Sequence, residues 1–483
     1  MMRGTGIMMR GSGILAVLVT ALAGCALQAP PTHIELVDQA LPNETRIPAA
    51  WKTETNPGEV AGDWLQSFND PQLDAIVAEA IANNLDLRQA ADRVAVAREA
   101  AVLVGAQMLP QIGGQLGAKT THDFGDEDEV DHTFNHGVAA LGMAWELDVW
   151  GRLRSKRAAA SANYEASALD YAYARQSLAA TVAMNWYLTT EAYQLVKLAE
   201  RAVKLYANLL DLAEYRHAAG KSSELDVVDA RARMENAQSA LEEARNIFGQ
   251  ARRALELLLG RYPASEIETA KTYPPLPPPV RAGVPASLLE RRPDIVAAER
   301  LVLAAFRKKE AARLALLPDF SISLTGEHLG DHLIKQLQLS PWLASAGIGM
   351  FIPIYQGGAL RAQVKIATSQ QAQAVANYGN VVLGAFREVE DVLAKQQTLE
   401  RRLKFEQRAL EDRNKAVQIA LMQYHAGSQS LLWVETLQTE QILVEQSVIK
   451  LYNEQIANRI KLHLALGGSF DGVSAGPEPT GGK

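Results

Sequence analysis

The amino-acid sequence predicts a mixed α/β membrane protein with an internal two-fold repeat. Four strands from each of three copies make a twelve-stranded β-barrel, and long helices continue it as an α-helical barrel. Three observations carry that expectation. The chain holds two pairs of short alternating segments, two helical stretches longer than a soluble domain uses, and a near-constant offset between like residues of its two halves.

The repeat comes first, because missing it would misread the whole fold. Ala219-Gly220 recurs as Ala426-Gly427, and Leu225 and Val227 recur as Leu432 and Val434. Leu259-Gly260 returns as Leu466-Gly467, and Leu153-Arg154 as Leu360-Arg361, all at an offset of 207. Leu109-Pro110 and Leu317-Pro318, like Asp86 and Asp294, are 208 apart. The expected organisation is a targeting segment at 1–24, an N-terminal extension at 25–60 and a first repeat at 61–272 with a β-hairpin at 111–149. A proline-rich linker at 273–284, a second repeat at 285–468 with a hairpin at 319–354, and a flexible tail at 469–483 follow. The run Tyr273-Pro-Pro-Leu-Pro-Pro-Pro279 makes the linker stiff and extended.

Within each half the period changes from helix to strand and back. Residues 71–109 space their apolar side chains as a helix does, until Pro110 ends it. Ile112, Gly114, Leu116 and Ala118 then share one face of an alternating segment, as do Ala139, Leu141, Met143, Trp145, Leu147 and Val149 further on. From Arg152 to Arg216 there is neither Pro nor Gly, which predicts one helix of roughly 65 residues and about 98 Å. Residues 224–259 are helical again. The second half repeats the order: helix over 293–317, alternation over 319–325 and 344–354, helices over 361–424 and 431–466. Residues 336–360 carry no formal charge, but Pro341, Pro353, four glycines and a two-residue period favour a strand over a spanning helix.

Four strands cannot close a barrel, since the smallest membrane barrels have about eight. Open edges cannot face lipid either, because each unpaired backbone group costs several kcal/mol there. The strands must therefore be pooled with other copies, and three copies give twelve strands, wide enough to leave a lumen.

Composition narrows the function classes. The 483 residues carry 48 Lys+Arg against 55 Asp+Glu, a formal charge of −7, with 48% apolar and 21% charged residues. That is too apolar for a disordered polyampholyte and lacks the basic excess of a nucleic-acid binder. The single cysteine excludes an intramolecular disulfide framework and a thiolate metal cage. No phosphate-cradling loop, G-x-S-x-G or H-E-x-x-H occurs, so the sequence shows no enzyme chemistry and calls for no cofactor. His328 and His332 are four apart around Gly330 and read as loop histidines rather than metal ligands.

At the amino end, Arg3 and Arg10 precede the apolar run Ile14–Leu22 and then Leu22-Ala-Gly-Cys25. A basic start, a short apolar stretch and small residues describe a secretory signal. The last four residues resemble a bacterial lipobox. That resemblance implies cleavage before Cys25 and lipid on its sulfur and new amino group. Ala26, where an Asp would retain the protein, implies the outer membrane of a Gram-negative bacterium.

Several stretches resemble the outer-membrane-factor family, the TolC-like channels, and specifically its lipoprotein branch from multidrug efflux systems. Pro285-Ala-Ser-Leu-Leu-Glu-Arg-Arg-Pro-Asp-Ile295 is similar to the branch's P-S-x-L-L-x-R-R-P-D-I signature, and Glu146-Leu-Asp-Val-Trp-Gly-Arg-Leu-Arg154 to its E-x-D-x-W-G-R-x-R. Ile354-Tyr-Gln-Gly-Gly-Ala-Leu-Arg361 resembles the second copy of that junction. The resemblance spans roughly residues 60–468. It implies a homotrimer with a helical periplasmic tunnel, lipid-anchored in the outer membrane. It also implies passive export of drugs or other small toxic compounds, driven by an inner-membrane pump through a periplasmic adaptor protein. Two other readings stay open: the duct of a type I protein secretion system, and a pore-less periplasmic scaffold lipoprotein.

The helix-turn-helix tips are Gly220-Lys-Ser-Ser223 and Gly427-Ser-Gln-Ser430. Glycine suits the left-handed cap of the outgoing helix, and Ser223 and Ser430 suit N-caps of the returning ones. The resemblance makes Gly220, Ser223, Leu225, Gly427, Ser430 and Leu432 candidate adaptor contacts. It also implies a carboxylate gate nine residues after the second tip glycine. Thr436 stands there with Glu435 beside it, and the first half offers Asp229 and, nearby, Asp226. These three acids are the candidate gate. Asp123, Asp126, Glu127, Asp128, Glu129 and Asp131, flanked by His122 and His132, read as a solvated loop outside the cell.

Overall fold

A computed structural model describes residues 29–42, 45–53, 55, 58–60, 62–123, 132–330 and 343–469. Cys25 and its lipobox, the acids at 126–131 and His332 lie outside these residues. The elements run α1 (His33–Ala40), α2 (Pro71–Asn83), α3 (Leu85–Ala106), β1 (Gln111–Asp123), β2 (His132–Leu147), α4 (Arg152–Ala218) and α5 (Glu224–Leu258). Then come α6 (Pro293–Leu314), β3 (Asp319–Gly330), β4 (Leu343–Phe351), α7 (Ala359–His425) and α8 (Leu431–Ala465). Both α4 and α7 have 67 residues, both α5 and α8 have 35, and each pair is displaced by 207. The 22-residue α3 and α6 are displaced by 208. Each 67-residue helix is about 100 Å long.

The chain divides into two compact units. One combines residues 93–168 and 297–380 with the amino-terminal residues up to Thr45. It contains an antiparallel four-stranded sheet in the order β1-β2-β3-β4. The pairs Ile112↔Met143, Met143↔Leu324 and Leu324↔Ala346 run across it, so the alternating apolar residues of all four strands share one face. On the other face Gly347 and Gly349 leave room for the Ser323 and Ser321 hydroxyls; a Cβ there would stand 3.1 and 3.0 Å from them. The edges, β1 and β4, have no second partner strand among the described residues.

The other unit combines 46–92, 169–296 and 381–483. Its main core joins Trp64, Phe68, Leu73 and Val77 to Ala179, Ala183, Trp186, Tyr187, Leu255, Leu259, Ile456 and Ile460. Asp70 starts α2 by accepting from the Gln72 and Leu73 amides at 3.1 Å, and takes the Trp186 indole N–H at 2.8 Å. A second core at the tips packs Tyr206, Leu209, Ala213, Val227 and Ala230 against Val417, Ala420, Tyr424, Leu431 and Val434.

Several elements differ from the sequence expectation. The helical stretch from Pro71 is two helices, because Asn84 leaves helical geometry. Its side chain accepts from the Leu87 amide at 3.0 Å and donates to the Leu258 carbonyl at 3.0 Å. Local hydrogen bonding by Asn competes with helix, and here it wins. The strand expected through 354 ends at Phe351, and Pro353, which has no N–H to give a ladder, follows it. β3 also carries His328, expected in a loop, opposite Ala139, and His122 and His132 likewise sit within β1 and β2.

Candidate functional site

The junction from β2 into α4 is tied by the side chains of one motif. Glu146 pairs with the Arg152 guanidinium, which also lies 3.4 Å from Asp319. Asp148 accepts from the Leu153 and Arg154 amides at 2.9 Å and pairs with Arg154 Nε at 3.1 Å. It thereby serves first-turn N–H groups of α4 that have no partner inside the helix. The Trp150 indole donates to the Pro318 carbonyl at 2.7 Å, and Gly151 supplies the turn with φ 86°. These are the residues of E-L-D-V-W-G-R-L-R, so the motif is a joint that aims a 67-residue rod. At the second junction Gly357 and Gly358 make the turn with φ 59° and 85°, while Ile354 and Tyr355 are almost fully exposed.

The two tips are built alike. At the first, the amides of Ala219, Gly220 and Lys221 donate to the carbonyls of Tyr215, His217 and Arg216; at the second, Ala426, Gly427 and Ser428 donate to Met422, Tyr424 and Gln423. Gly220 has φ 68° and Gly427 φ 77°, with nothing within 4 Å of a Cβ at either. Ser223 caps α5 in a reciprocal box: its hydroxyl takes the Asp226 amide at 3.3 Å, and Asp226 takes the Ser223 amide at 3.0 Å. Ser430 caps α8 by accepting from Trp433 N at 3.4 Å. Leu225 and Leu432 are both exposed.

Of the three candidate gate acids, the structure brings two together. Arg233 Nε is 2.9 Å from Asp229 and 3.2 Å from Glu435, so one guanidinium links α5 to α8. Asp226 belongs to the capping box. Glu435 is only 2% exposed at its side chain. Burial pushes its carboxyl up to about 7; Arg233 opposes the shift, and the Asp229 hydrogen bond and negative charge reinforce it. Thr436, the position the resemblance marks, bonds its own helix through the Leu432 carbonyl at 2.8 Å. Arg233 was missed by sequence reasoning, although its place four residues after Asp229 on one helix face was a legible sign of an ion pair.

The R-R-P-D-I signature also acquires a physical role. Arg292 is 3% exposed and forks onto Asp294 at 3.0 and 2.7 Å. It reaches Glu388 at 2.7 Å, the Ala465 carbonyl at 3.1 Å and the Tyr173 hydroxyl at 3.4 Å. One buried guanidinium thus holds α6, α7, α8 and α4.

A four-stranded sheet with two open edges and one apolar face, joined by rigid turns to rods of 67 residues, defines a class: a membrane duct assembled from strands and helices. No helix among the described residues is long and apolar enough to cross a membrane. The outer membrane efflux protein family model matches residues 76–261 and 284–468, one match for each repeat, and the chain belongs to that family. It is similar to the pyoverdine export outer membrane protein OpmQ of Pseudomonas putida, with 29% identity over 95% of this chain and 97% of that one. It is likewise similar to the cation efflux system protein CusC of Escherichia coli, with 31% identity over 84% and 88% of the two chains. A solved CusC structure superposes with a TM-score of 0.79 and 28% identity, covering 89% of this chain and 99% of that one. The chain is therefore an outer-membrane efflux channel, with the mixed strand-and-helix fold of the trimeric channels in that family.

Proposed function

We propose that three copies of this chain form a passive duct through the outer membrane. With a periplasmic adaptor protein and an inner-membrane pump, the duct exports drugs or other small toxic compounds. The pair of open strand edges carries this reading. Among the described residues β1 and β4 each have one edge without a partner strand while one face of the sheet is apolar, and lipid tolerates such a sheet only in a closed ring. The names of relatives span pyoverdine export and cation efflux, which suits a wide duct whose selectivity lies in the pump. The duct performs no covalent chemistry and needs no cofactor. Cys25 bears the lipid anchor in the outer leaflet's periplasmic partner, and several acyl chains at ~0.8 kcal/mol per buried CH₂ hold it there. The tips, through Gly220, Ser223, Leu225, Gly427, Ser430 and Leu432, meet the adaptor. Asp229 and Glu435, bridged by Arg233 with Asp226 at the adjoining cap, form the gate.

Native mass in detergent and conductance in planar bilayers test the duct. The expected result is a trimer that conducts ions; a monomer without conductance overturns the reading. For the gate, Asp229→Ala and Glu435→Ala each raise closed-state conductance, and unchanged conductance in both removes these residues from it.

A further inference from the structure

In the unit that carries the sheet, α3, α4, α6 and α7 border a cavity of about 810 Å³ at the end where strands meet helices. The two repeats contribute equivalent positions to its wall. Lys156, Ala160 and Asn163 of α4 shift by 207 onto Gln363, Ala367 and Gln370 of α7, and all six line it. Ala100 and Val104 of α3 shift by 208 onto Lys308 and Ala312 of α6, which line it too. Four helices therefore turn one repeated face toward a common space. The cavity reaches the sheet at Asp319 and Phe351, which pair across β3 and β4. Both lie in register with Gly347 and Gly349, on the face opposite the apolar one. An adjoining cavity of about 580 Å³ continues past Lys156 to Gln111, Ala144, Glu146 and Ser321 on that same face.

The charges on this wall are unbalanced. Much of it is short and apolar, with Ala97, Ala100, Ala159, Ala311 and Ala312 beside Val104 and Leu360. Its cations are Arg152, Lys156 and Lys308, and among the described residues Asp319 is the carboxylate that lines it. Arg152 takes up the acids within reach: it pairs with Glu146 and lies 3.4 Å from Asp319, while its buried Nε–H finds no hydrogen-bond acceptor. Lys156 and Lys308 have no carboxylate in ion-pair contact among the described residues. Partial burial and the Arg152 charge hold the Lys156 ammonium below its usual range, against the pull of Glu146 and Asp319. The repeat shows that the fold itself needs no cation at either place. The equivalent of Lys156 is the neutral Gln363, and that of Lys308 is Ala100.

We propose that this cavity binds an amphipathic organic anion, a carboxylate or sulfonate on an apolar body, through the Lys156 and Lys308 ammonium groups and the alanine floor. The inference rests on the reading of the chain as a duct and adds a substrate class to it. The sheet face that the cavity adjoins is the one turned away from lipid, so the site opens on the lumen. Its volume lies within the range that holds a drug-sized molecule. Ammonium groups without counter-ions in a cleft with apolar walls concentrate anions there, and lysines around a pore favour anions over cations. A bare inorganic anion would leave the alanine floor in water, so the apolar area selects an organic one. Passage also requires release. Lysine, a point charge on a flexible stem, holds an anion less rigidly than a buried arginine fork would.

Equilibrium dialysis of the full-length protein in lipid nanodiscs tests the site, with empty discs as the blank and ionic strength held constant. Naphthalene-2-sulfonate is the anionic probe, and 2-naphthyltrimethylammonium is a cation with the same apolar body. The sulfonate is expected to bind about tenfold more tightly than the cation. Lys156→Gln combined with Lys308→Gln abolishes that preference, and Lys156→Glu combined with Lys308→Glu reverses it. No binding of the sulfonate, equal affinity for the two probes, or a preference that survives the glutamine pair overturns the site. Inorganic sulfate that competes as tightly as the naphthalene probe overturns the organic ligand. Native mass and bilayer conductance of the same samples keep the two readings apart. A conducting trimer without the preference defeats the site and leaves the duct standing, whereas a monomer without conductance defeats the duct itself.

Discussion

The two repeats share a backbone plan and differ in what fastens it. Close approaches recur one for one. A Cβ on Gly260 would stand 2.8 Å from the Asn83 carbonyl oxygen, and one on Gly467 would stand 3.1 Å from that of Arg291, its equivalent. The carbonyl of Leu258 accepts from the Asn84 amide, and that of Ala465 accepts from Arg292. The same site is thus served by a neutral amide in one half and by a buried guanidinium in the other. Glu256, which takes the amides of Ser265, Glu266 and Ile267, has as its counterpart His463, a buried imidazole stacked on Trp64 at 5.8 Å. Burial and the neighbouring Arg459 charge hold His463 down to about 4, so it is neutral at physiological pH. What the fold demands is repeated in both halves, and what each half needs for its neighbours is not.

Removing each of the two anchors in turn separates their contributions. Arg292→Ala leaves Asp294 and Glu388 without their cation and the Ala465 carbonyl without its donor. Deleting one partner of a buried charge network costs roughly 3–5 kcal/mol. Asn84→Ala loses one cap and one hydrogen bond, about 1–2 kcal/mol. Thermal unfolding followed by circular dichroism should therefore show a far lower midpoint for the first variant. Equal losses would mean that Arg292 does no more than Asn84.

The tips come next. Glu435 is the counterpart of Val228, and its neighbour Thr436 that of Asp229, so the acid has moved by one position between halves. A carboxyl raised from 4.5 to about 7 holds its proton in the folded state where the unfolded chain has released it. Stability then falls as pH rises from about 4.5 to about 7, by ~1.4 kcal/mol per pKa unit, or roughly 3 kcal/mol in all. Glu435→Gln flattens that slope and stabilises the protein at pH 8, where the buried charge is fully formed. An unchanged slope in unfolding experiments across this range would place the pH dependence elsewhere.

Much of this was legible in the sequence. The 207-residue offset located α4, α5, α7 and α8 within two residues at each end, because long periodic helices leave an unambiguous signature. The alternation identified all four strands, while their far ends ran beyond the clear pattern: β1 continues through Lys119-Thr-Thr-His-Asp123, which the expected hairpin held only as strand or loop. The break at Asn84 was hidden because apolar spacing continues across it, and one polar residue in a helix is ordinary. The burial of Glu435 was hidden for a deeper reason. An acid on a helix reads as a solvated face unless its partner is known, and Arg233 lies in the other repeat, where only the packing of α5 on α8 brings it within 3.2 Å.

The finest test asks whether equivalent glycines cost the same. Gly220 and Gly427 share a left-handed φ and have open space around them, so alanine there costs only backbone strain, about 1 kcal/mol at each tip. Gly260 and Gly467 have the same φ class, 71° and 69°, but a Cβ would press on a carbonyl oxygen. The expected order of destabilisation is Gly260→Ala above Gly467→Ala, because 2.8 Å is a closer contact than 3.1 Å, with both above the two tip variants. Unfolding midpoints of the four single variants measure it. A tip variant that costs more than Gly260→Ala would mean that the tip turn carries a constraint other than its own backbone. The tip surface would then be more tightly specified than its open surroundings in the single chain imply.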